Sequence, residues 1–382
     1  MQQPATLASK RKYYLDIARV IAIVSISLNH AVNRSYQNYN GQMAEFYSIP
    51  LWSTLIKTVI SVFSRIGVPL FLMITGVLIL NKKMETQEDI KKFYKHNLLS
   101  MFITTEIWYV IIYWYLVLFG SSNNILETKG IAGAIGGMFE TMLFQNQVTF
   151  GSMWYMPMIL CLYTTLPFVV MVKDKLTGSK LSAVVFLPAI ILYLNNMVLP
   201  AVNAFLRMHD LPVFSSELRE IDLFSTYYLY ILVGYFVGKG LLEKWKLWLV
   251  AGLAALTFAV CCGVQLYAYS QPYDYLVAYS FPLLPICAGL IFELVRRGAH
   301  RLKAVEKPVT YLSRIAFGIY FVHIMIMTAL NEKGISKLLN YAAWEPAVKM
   351  IFLEAVSIAG SIVLIWLLSK IKPLKKYLFL IK

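Results

Sequence analysis

Among the ionisable side chains inside stretches that are otherwise apolar, eight are the most informative: Arg19, His30, Arg65, Glu106, Glu293, Arg314, His323 and Glu354. Charge in such surroundings is costly and is kept where it faces a protein interior or a wet cavity. The residue types suggest what they could do there. An imidazole accepts a proton or attacks as a nucleophile, a guanidinium stabilises an anionic oxygen, and a carboxylate orients either of them. Plainer readings stand beside these. His323 also reads as a hydrogen-bonded packing residue, Arg65 as a donor to carbonyls at the Gly67-Val68-Pro69 kink, and the lysines between Lys82 and Lys95 as topology determinants.

Spacing makes the first stretch specific. Arg19 and His30 are eleven positions apart, three helical turns plus about 20°, so both leave one helix face, about 16 Å apart along the axis. Asp16 joins that stripe and pairs with Arg19; at about 21 Å from His30 it cannot orient the imidazole. The same rise per residue puts Arg65 about 22 Å, His323 about 20 Å and Glu106 about 15 Å from the inner ends of their own stretches. The expectation is a polar cluster of His30, Arg65, His323 and Glu106 within the membrane. A basic mouth of Arg19, Arg314 and the lysines of 82–95 lies on the side of the N-terminus.

The elements that must position these groups follow from composition. Of 382 residues, 59% are hydrophobic and 14% charged, against roughly 25% charged in soluble domains, and the mean hydropathy is +0.63. This excludes a soluble globular protein. Stretches of about 20 apolar residues, enough to span a bilayer, recur near 15–33, 53–80, 96–119, 153–172, 181–199, 223–238, 247–265, 276–295, 310–330 and 347–369. The net charge of +15 would invite a nucleic-acid reading, but 24 of the Lys and Arg residues fall in segments sharing a side with the N-terminus. By the positive-inside rule both termini are then cytoplasmic. Asp16, Arg19 and the lack of a small-residue cleavage pattern make the first stretch a retained helix, not a signal peptide.

Cys161, Cys261, Cys262 and Cys287 all lie in predicted spans, so neither a disulfide framework nor a metal site is expected. No repeat or linker is evident. The fold expected is all-α and integral to the membrane, a single bundle of about ten transmembrane helices forming one domain over 1–382, with no appended soluble domain. Residues 120–152, with the run Gly130 to Gly137, and 200–222, with Arg207, His209, Asp210, Glu217 and Arg219, read as long external loops of the kind that often carry function.

Several blocks resemble the acyltransferase 3 family of multi-pass membrane acyltransferases. Tyr14-Leu15-Asp16-Ile17-Ala18-Arg19 followed by Leu28-Asn29-His30-Ala31 is similar to its Arg-x10-His signature. The run from Ser64-Arg65-Ile66-Gly67-Val68-Pro69 to Gly76 resembles its second helix, and Met153-Trp154-Tyr155 with Tyr163 and Pro167 its fourth. Tyr227-Tyr228 with Gly234 and Gly238 resembles the sixth, and Ser313 with Gly318-Ile319-Tyr320-Phe321-Val322-His323 the ninth. The blocks keep family order over about 14–325, most closely in the manner of the branch that includes the enterobacterial common antigen O-acetyltransferase and other surface-polysaccharide modifiers. One departure concerns the Arg-x-x-Arg pair that many members carry entering the third helix. Here Lys95-His96-Asn97-Leu98-Leu99-Ser100 leaves Asn97 and Ser100 in those places.

The resemblance implies transfer of an acyl group, most simply acetyl, from cytoplasmic acyl-CoA to a hydroxyl of a cell-surface or lipid-linked glycan at the bacterial plasma membrane. Catalysis would fall to His30, as general base or transient acyl carrier, with Arg65 and Glu106. Acyl-CoA would be held by Asp16, Arg19, Lys91, Lys92, Lys95 and Arg314, and the acceptor or acyl pocket would draw on Asn33, Trp154, Tyr155, Tyr228, Tyr320 and His323. No cofactor is bound; acetyl-CoA or another acyl-CoA enters as co-substrate. The partners implied are acyl-CoA, a glycan or lipid-linked sugar, membrane lipids and a second copy in a homodimer, with no nucleic acid. The competing class is a glycan exporter or other multi-pass transporter, whose path such charges would line.

Overall fold

The computed structural model describes residues 12–36, 43–119, 124–145, 151–175, 190–191, 193–214, 226–271, 277–332, 340 and 343–381. Regular structure among them is helical throughout: α1 (Tyr13–Ser35), α2 (Met43–Ser48), α3 (Leu51–Ser64), α4 (Gly67–Ile79), α5 (Gln87–Phe93), α6 (Leu99–Phe119), α7 (Asn124–Met142), α8 (Tyr155–Lys175), α9 (Leu199–Met208), α10 (Tyr227–Gly238), α11 (Leu247–Tyr269), α12 (Leu283–Gly298), α13 (Glu306–Glu332), α14 (Pro346–Leu368) and α15 (Lys372–Phe379). Among the described residues, seven helical stretches are long and apolar enough to cross a membrane. The chain is an all-α, multi-pass membrane bundle.

Three of the seven are compound, one of them Gln87–Phe119, in which α5 and the π-helical Tyr94–Leu98 run into α6. Of the other two, Leu51–Ile79 joins α3 to α4, and the 48-residue Leu283–Leu330 joins α12 to most of α13. At 1.5 Å per residue the second would measure about 72 Å, more than twice the roughly 30 Å hydrocarbon core. It breaks at Leu302, whose φ of −100° and ψ of 16° interrupt a 3₁₀ segment over Ala299–Val305. The first breaks at Arg65 and Ile66, because Pro69 has no N–H for the Arg65 carbonyl and its ring crowds that oxygen. The predicted span 181–199 lies largely outside the described residues, as do Glu217 and Arg219.

Both expected external loops hold helix instead. Residues 124–142 form α7, bent where Gly130 takes φ 64° and ψ −174°. Tyr113 donates its hydroxyl to the Ala134 carbonyl at 2.7 Å and Trp114 its Nε1–H to the Met138 sulfur at 3.3 Å, so α7 lies along α6. Residues 199–208 are α9. Apolar side chains between the glycines give α7 a face that α6 can cover, and tertiary packing overrides the weak propensity of the run.

Side-chain pairs fix relative direction. Asp16 and Arg19 meet Ser313, His30 meets His323, and Arg34 meets Thr328, so α1 and α13 run parallel and in register. Asn29 pairs with Ser64 and Tyr36 with Ser53, so α3 runs against α1. Ser27 reaches Glu354 while Ala31 and Val32 cluster with Ala347 and Met350, so α14 does too. α4 and α10 are parallel, with Met73 against Gly234 and Val77 against Gly238.

The α4–α10 contact has almost no clearance. A Cβ on Gly234 would lie 2.2 Å from the Met73 Cα, and one on Gly76 would lie 2.0 Å from the Ile231 carbonyl oxygen. Small residues let membrane helices approach this closely. Alanine gains roughly 1 kcal/mol in helix propensity over glycine, but here the obstacle is backbone, which cannot rotate away. Gly234→Ala is therefore expected to lower the thermal unfolding midpoint in detergent; an unchanged or raised midpoint would mean the helices are not so close.

Candidate active site

The end of the bundle where α1 begins is built around a buried carboxylate. Asp16 is 1% exposed on α1. Its Oδ1 accepts the Ser313 hydroxyl at 2.6 Å and Arg19 Nη1–H at 3.2 Å, and the same guanidinium reaches Ser313 Oγ at 3.4 Å. Two parallel helices thus hold Arg19 in a fixed pose with its side chain 27% exposed. Arg19 lines a cavity of about 1200 Å³ whose other polar walls include Lys12, Lys82, Asn97 and Arg314. A π-helical segment, Tyr94–Leu98, brings Asn97 to it, with the amide donating to the Phe93 carbonyl at 3.1 Å. Such segments often mark functional sites.

Phe71, Tyr155, Tyr163 and Tyr320 form an aromatic part of the cavity wall. The Tyr155 and Tyr320 rings stand 5.9 Å apart. Beyond them, one helical turn further along α13, His323 lies 6.5 Å from Tyr320 and 5.5 Å from His30, centroid to centroid. His30 does not line the cavity; Tyr320, which does, reaches it through His323. The His30 ring faces α13 and keeps some accessible surface. His323 is fully buried, with Nδ1 2.7 Å from the Ile319 carbonyl. A carbonyl only accepts, so Nδ1 carries the hydrogen and a neutral His323 has a bare Nε2 lone pair. That nitrogen is buried and without a hydrogen-bond partner.

Arg65 sits at the break between α3 and α4, beside Ser64, whose hydroxyl bonds Asn29 Oδ1 at 3.2 Å. Asn29 precedes His30, so Arg65 and the imidazole share a depth. The guanidinium lies over the Tyr279 ring at 5.6 Å, within an aromatic group that includes Trp154, 5.4 Å from Tyr279, and Tyr227.

The carboxylates separate. Glu106 is brought to neither histidine among the described contacts, and its Oε1 is buried without a hydrogen-bond partner. Glu354 of α14 instead accepts the Ser27 hydroxyl at 2.6 Å, one turn below His30. Glu293 is fully buried and wholly structural in its contacts: Arg296 donates twice, at 2.7 and 2.9 Å, and Arg297 once, at 2.5 Å. Lys91, Lys92 and Lys95 are exposed and do not line the cavity, and Asn33 is exposed one turn beyond His30. Tyr228 ties α10 to α8, bonding Thr165 and the Leu162 carbonyl. The residues that sequence reasoning left without a role are Ser313, whose hydroxyl is small and unremarkable in a serine-containing span, and Leu380 and Ile381.

A family model described as an acyltransferase domain matches residues 12–366. No curated protein and no solved structure matches the chain. With the parallel α1 and α13 carrying Arg19, His30, Ser313 and His323 inside the matched region, the chain belongs to the acyltransferase 3 family of membrane acyltransferases.

Proposed function

We propose that the chain moves an acyl group, acetyl in the simplest case, from cytoplasmic acyl-CoA to a hydroxyl of a cell-surface or lipid-linked glycan. The observation that carries this reading is the order of groups along α1 and α13: a fixed Arg19 in a basic cavity, Tyr320 in the wall of that cavity, and a histidine pair one turn beyond. Nucleotide phosphates suit the basic part of the wall, and the thin, uncharged pantetheine arm suits the aromatic part. For the thioester to arrive at His30, Tyr155 and Tyr320 turn aside.

His30 then acts in one of two balanced ways. As general base it takes the hydroxyl proton while the hydroxyl oxygen attacks the thioester carbonyl; the C–O bond forms, the C–S bond breaks, and the proton leaves with the thiol. As carrier its nitrogen attacks first, CoA departs, and the acyl-imidazole passes its group to the hydroxyl. Arg65, at the same depth, supports the oxyanion in either case. The sequence blocks support a place near the surface-polysaccharide O-acetyltransferases, and the positive-inside distribution supports ten crossings of a bacterial plasma membrane, one domain, and both termini in the cytoplasm.

Thiol release from acetyl-CoA by purified protein with glycan acceptor tests the reaction; movement of glycan without CoA consumption would make the chain an exporter. Arg19→Gln removes one charged contact with the phosphates and keeps a donor for Asp16. It is expected to raise the acyl-CoA KM about tenfold with kcat nearly unchanged, and an unaltered KM would take the donor away from this cavity.

A further inference from the structure

α15 begins at Lys372, past the last residue of the family match, and its apolar end turns back into the bundle. The turn is held from two sides. Thr104 of α6 donates its hydroxyl to the Tyr377 carbonyl at 2.8 Å, and Trp108 donates its indole N–H to the Leu378 carbonyl, also at 2.8 Å. Trp108 in turn stacks on Phe321 of α13 with centroids 4.9 Å apart and planes 2° from parallel. Phe379 is 1% exposed. Its seat is cut by Gly318, where a Cβ would lie 2.7 Å from the Phe379 ring.

After that anchor the backbone does something leucine rarely does. Leu380 takes φ 50°, in the left-handed region where helix ends usually place glycine. The turn closes with the Ile381 N–H bonding the Lys375 carbonyl at 3.2 Å. The result is that Leu380 and Ile381 become part of the cavity wall, in company with Met101 of α6 and Phe317 of α13. Their height can be read from α13. Phe379 rests at Gly318, about 6 Å along the axis from Arg314 and about 3 Å short of Tyr320, both of which line the cavity. That interval lies between the region suited to phosphates and the tyrosines.

We propose that Leu380 and Ile381 are donor-binding residues, an apolar wall against which the pantetheine arm of acyl-CoA packs, supplied by a segment outside the matched acyltransferase domain. The inference rests on the donor reading above. It assigns the tail to recognition of the arm and leaves the phosphates to Arg19.

Two probes separate these roles. Coenzyme A has nucleotide and arm; adenosine 3′,5′-bisphosphate lacks the arm. The double variant Leu380→Ser with Ile381→Ser keeps the Phe379 anchor, so its unfolding midpoint should match that of the unaltered protein. Its affinity for coenzyme A is expected to fall about tenfold, with affinity for the bisphosphate unchanged, whereas Arg19→Gln weakens both. Phe379→Ala provides a second route: it frees the turn and should weaken coenzyme A selectively as well. Unchanged coenzyme A affinity in the double variant overturns the proposal, as does equal weakening of both probes, which would put the tail at the nucleotide. If the unaltered protein binds coenzyme A and only Arg19→Gln impairs it, the donor reading stands and this inference alone falls. If the unaltered protein binds neither probe, the donor reading falls and takes this one with it.

Discussion

His30→Ala is expected to cut acyl-CoA-dependent modification of the acceptor by about 10²–10⁴-fold, the usual worth of a positioned proton-transfer group, and by more if the ring carries the acyl group. Of the two neighbouring imidazoles, His30 is the one with accessible surface, while His323 is fully buried and has committed its Nδ1–H to the Ile319 carbonyl. The substitution removes a ring from α1 without touching the Asp16, Arg19 and Ser313 bonds, about 16 Å away along the helix. Coenzyme A binding should therefore survive. Transfer assayed by mass spectrometry of the acceptor, in protein shown to be inserted and monodisperse, is the decisive measurement. Full transfer by the alanine variant would remove His30 from the chemistry.

Glu293→Gln is expected to be the most destabilising single change among the charged positions. The carboxylate is fully buried and receives three donors from Arg296 and Arg297. Losing the charge leaves two guanidinium groups beside a neutral amide, and breaking a buried pair typically costs about 3–5 kcal/mol. The arginine side chains are 21% and 19% exposed, so water relieves part of that and the lower end applies. A second effect is local. Arg297 also donates to the Trp245 carbonyl at 2.7 Å and to the Leu242 carbonyl, fastening the connection between α10 and α11. The variant should show a lower thermal midpoint and faster proteolysis near Lys244 and Lys246, with the acyl-CoA KM of the folded fraction unchanged. An unaltered midpoint would show that the arginines find other partners.

Much of the axial information was present in the amino-acid sequence, and little of the azimuthal. Rise per residue set Arg19 near one end of α1 and His30 well along it, and the helical repeat put both on one face; that face does meet α13. Height alone, however, also recommended Glu106, and its helix turns it elsewhere. Glu354 ends up one turn from His30 through Ser27 because α14 is the helix that packs there, a fact no spacing within either helix contains. Charge behaves in the same way. It sorts segments by side of the membrane, which is why Lys91, Lys92 and Lys95 looked equivalent to Lys82, yet only Lys82 among them lines the cavity. The glycines of 130–137 argued for a loop because propensity is local, whereas the cover that α6 gives α7 is not. The tail was the hardest to foresee, since after the last apolar stretch a run of lysines with interspersed leucines reads as an interfacial end.

The tyrosine pair in the cavity wall has a consequence for the cell as well as for the reaction. A protein that strings arginine, carboxylate and imidazole through a lipid bilayer assembles most of a proton wire, and a wire open at both ends would drain the electrochemical gradient that powers the membrane. Tyr155, tilted against both Phe71 and Tyr320, completes a group of uncharged rings, and Tyr320 sets it between the cavity and the histidines. Insulation is thereby the resting condition, and the breach is confined to the moments when an incoming arm fills it with its own bulk.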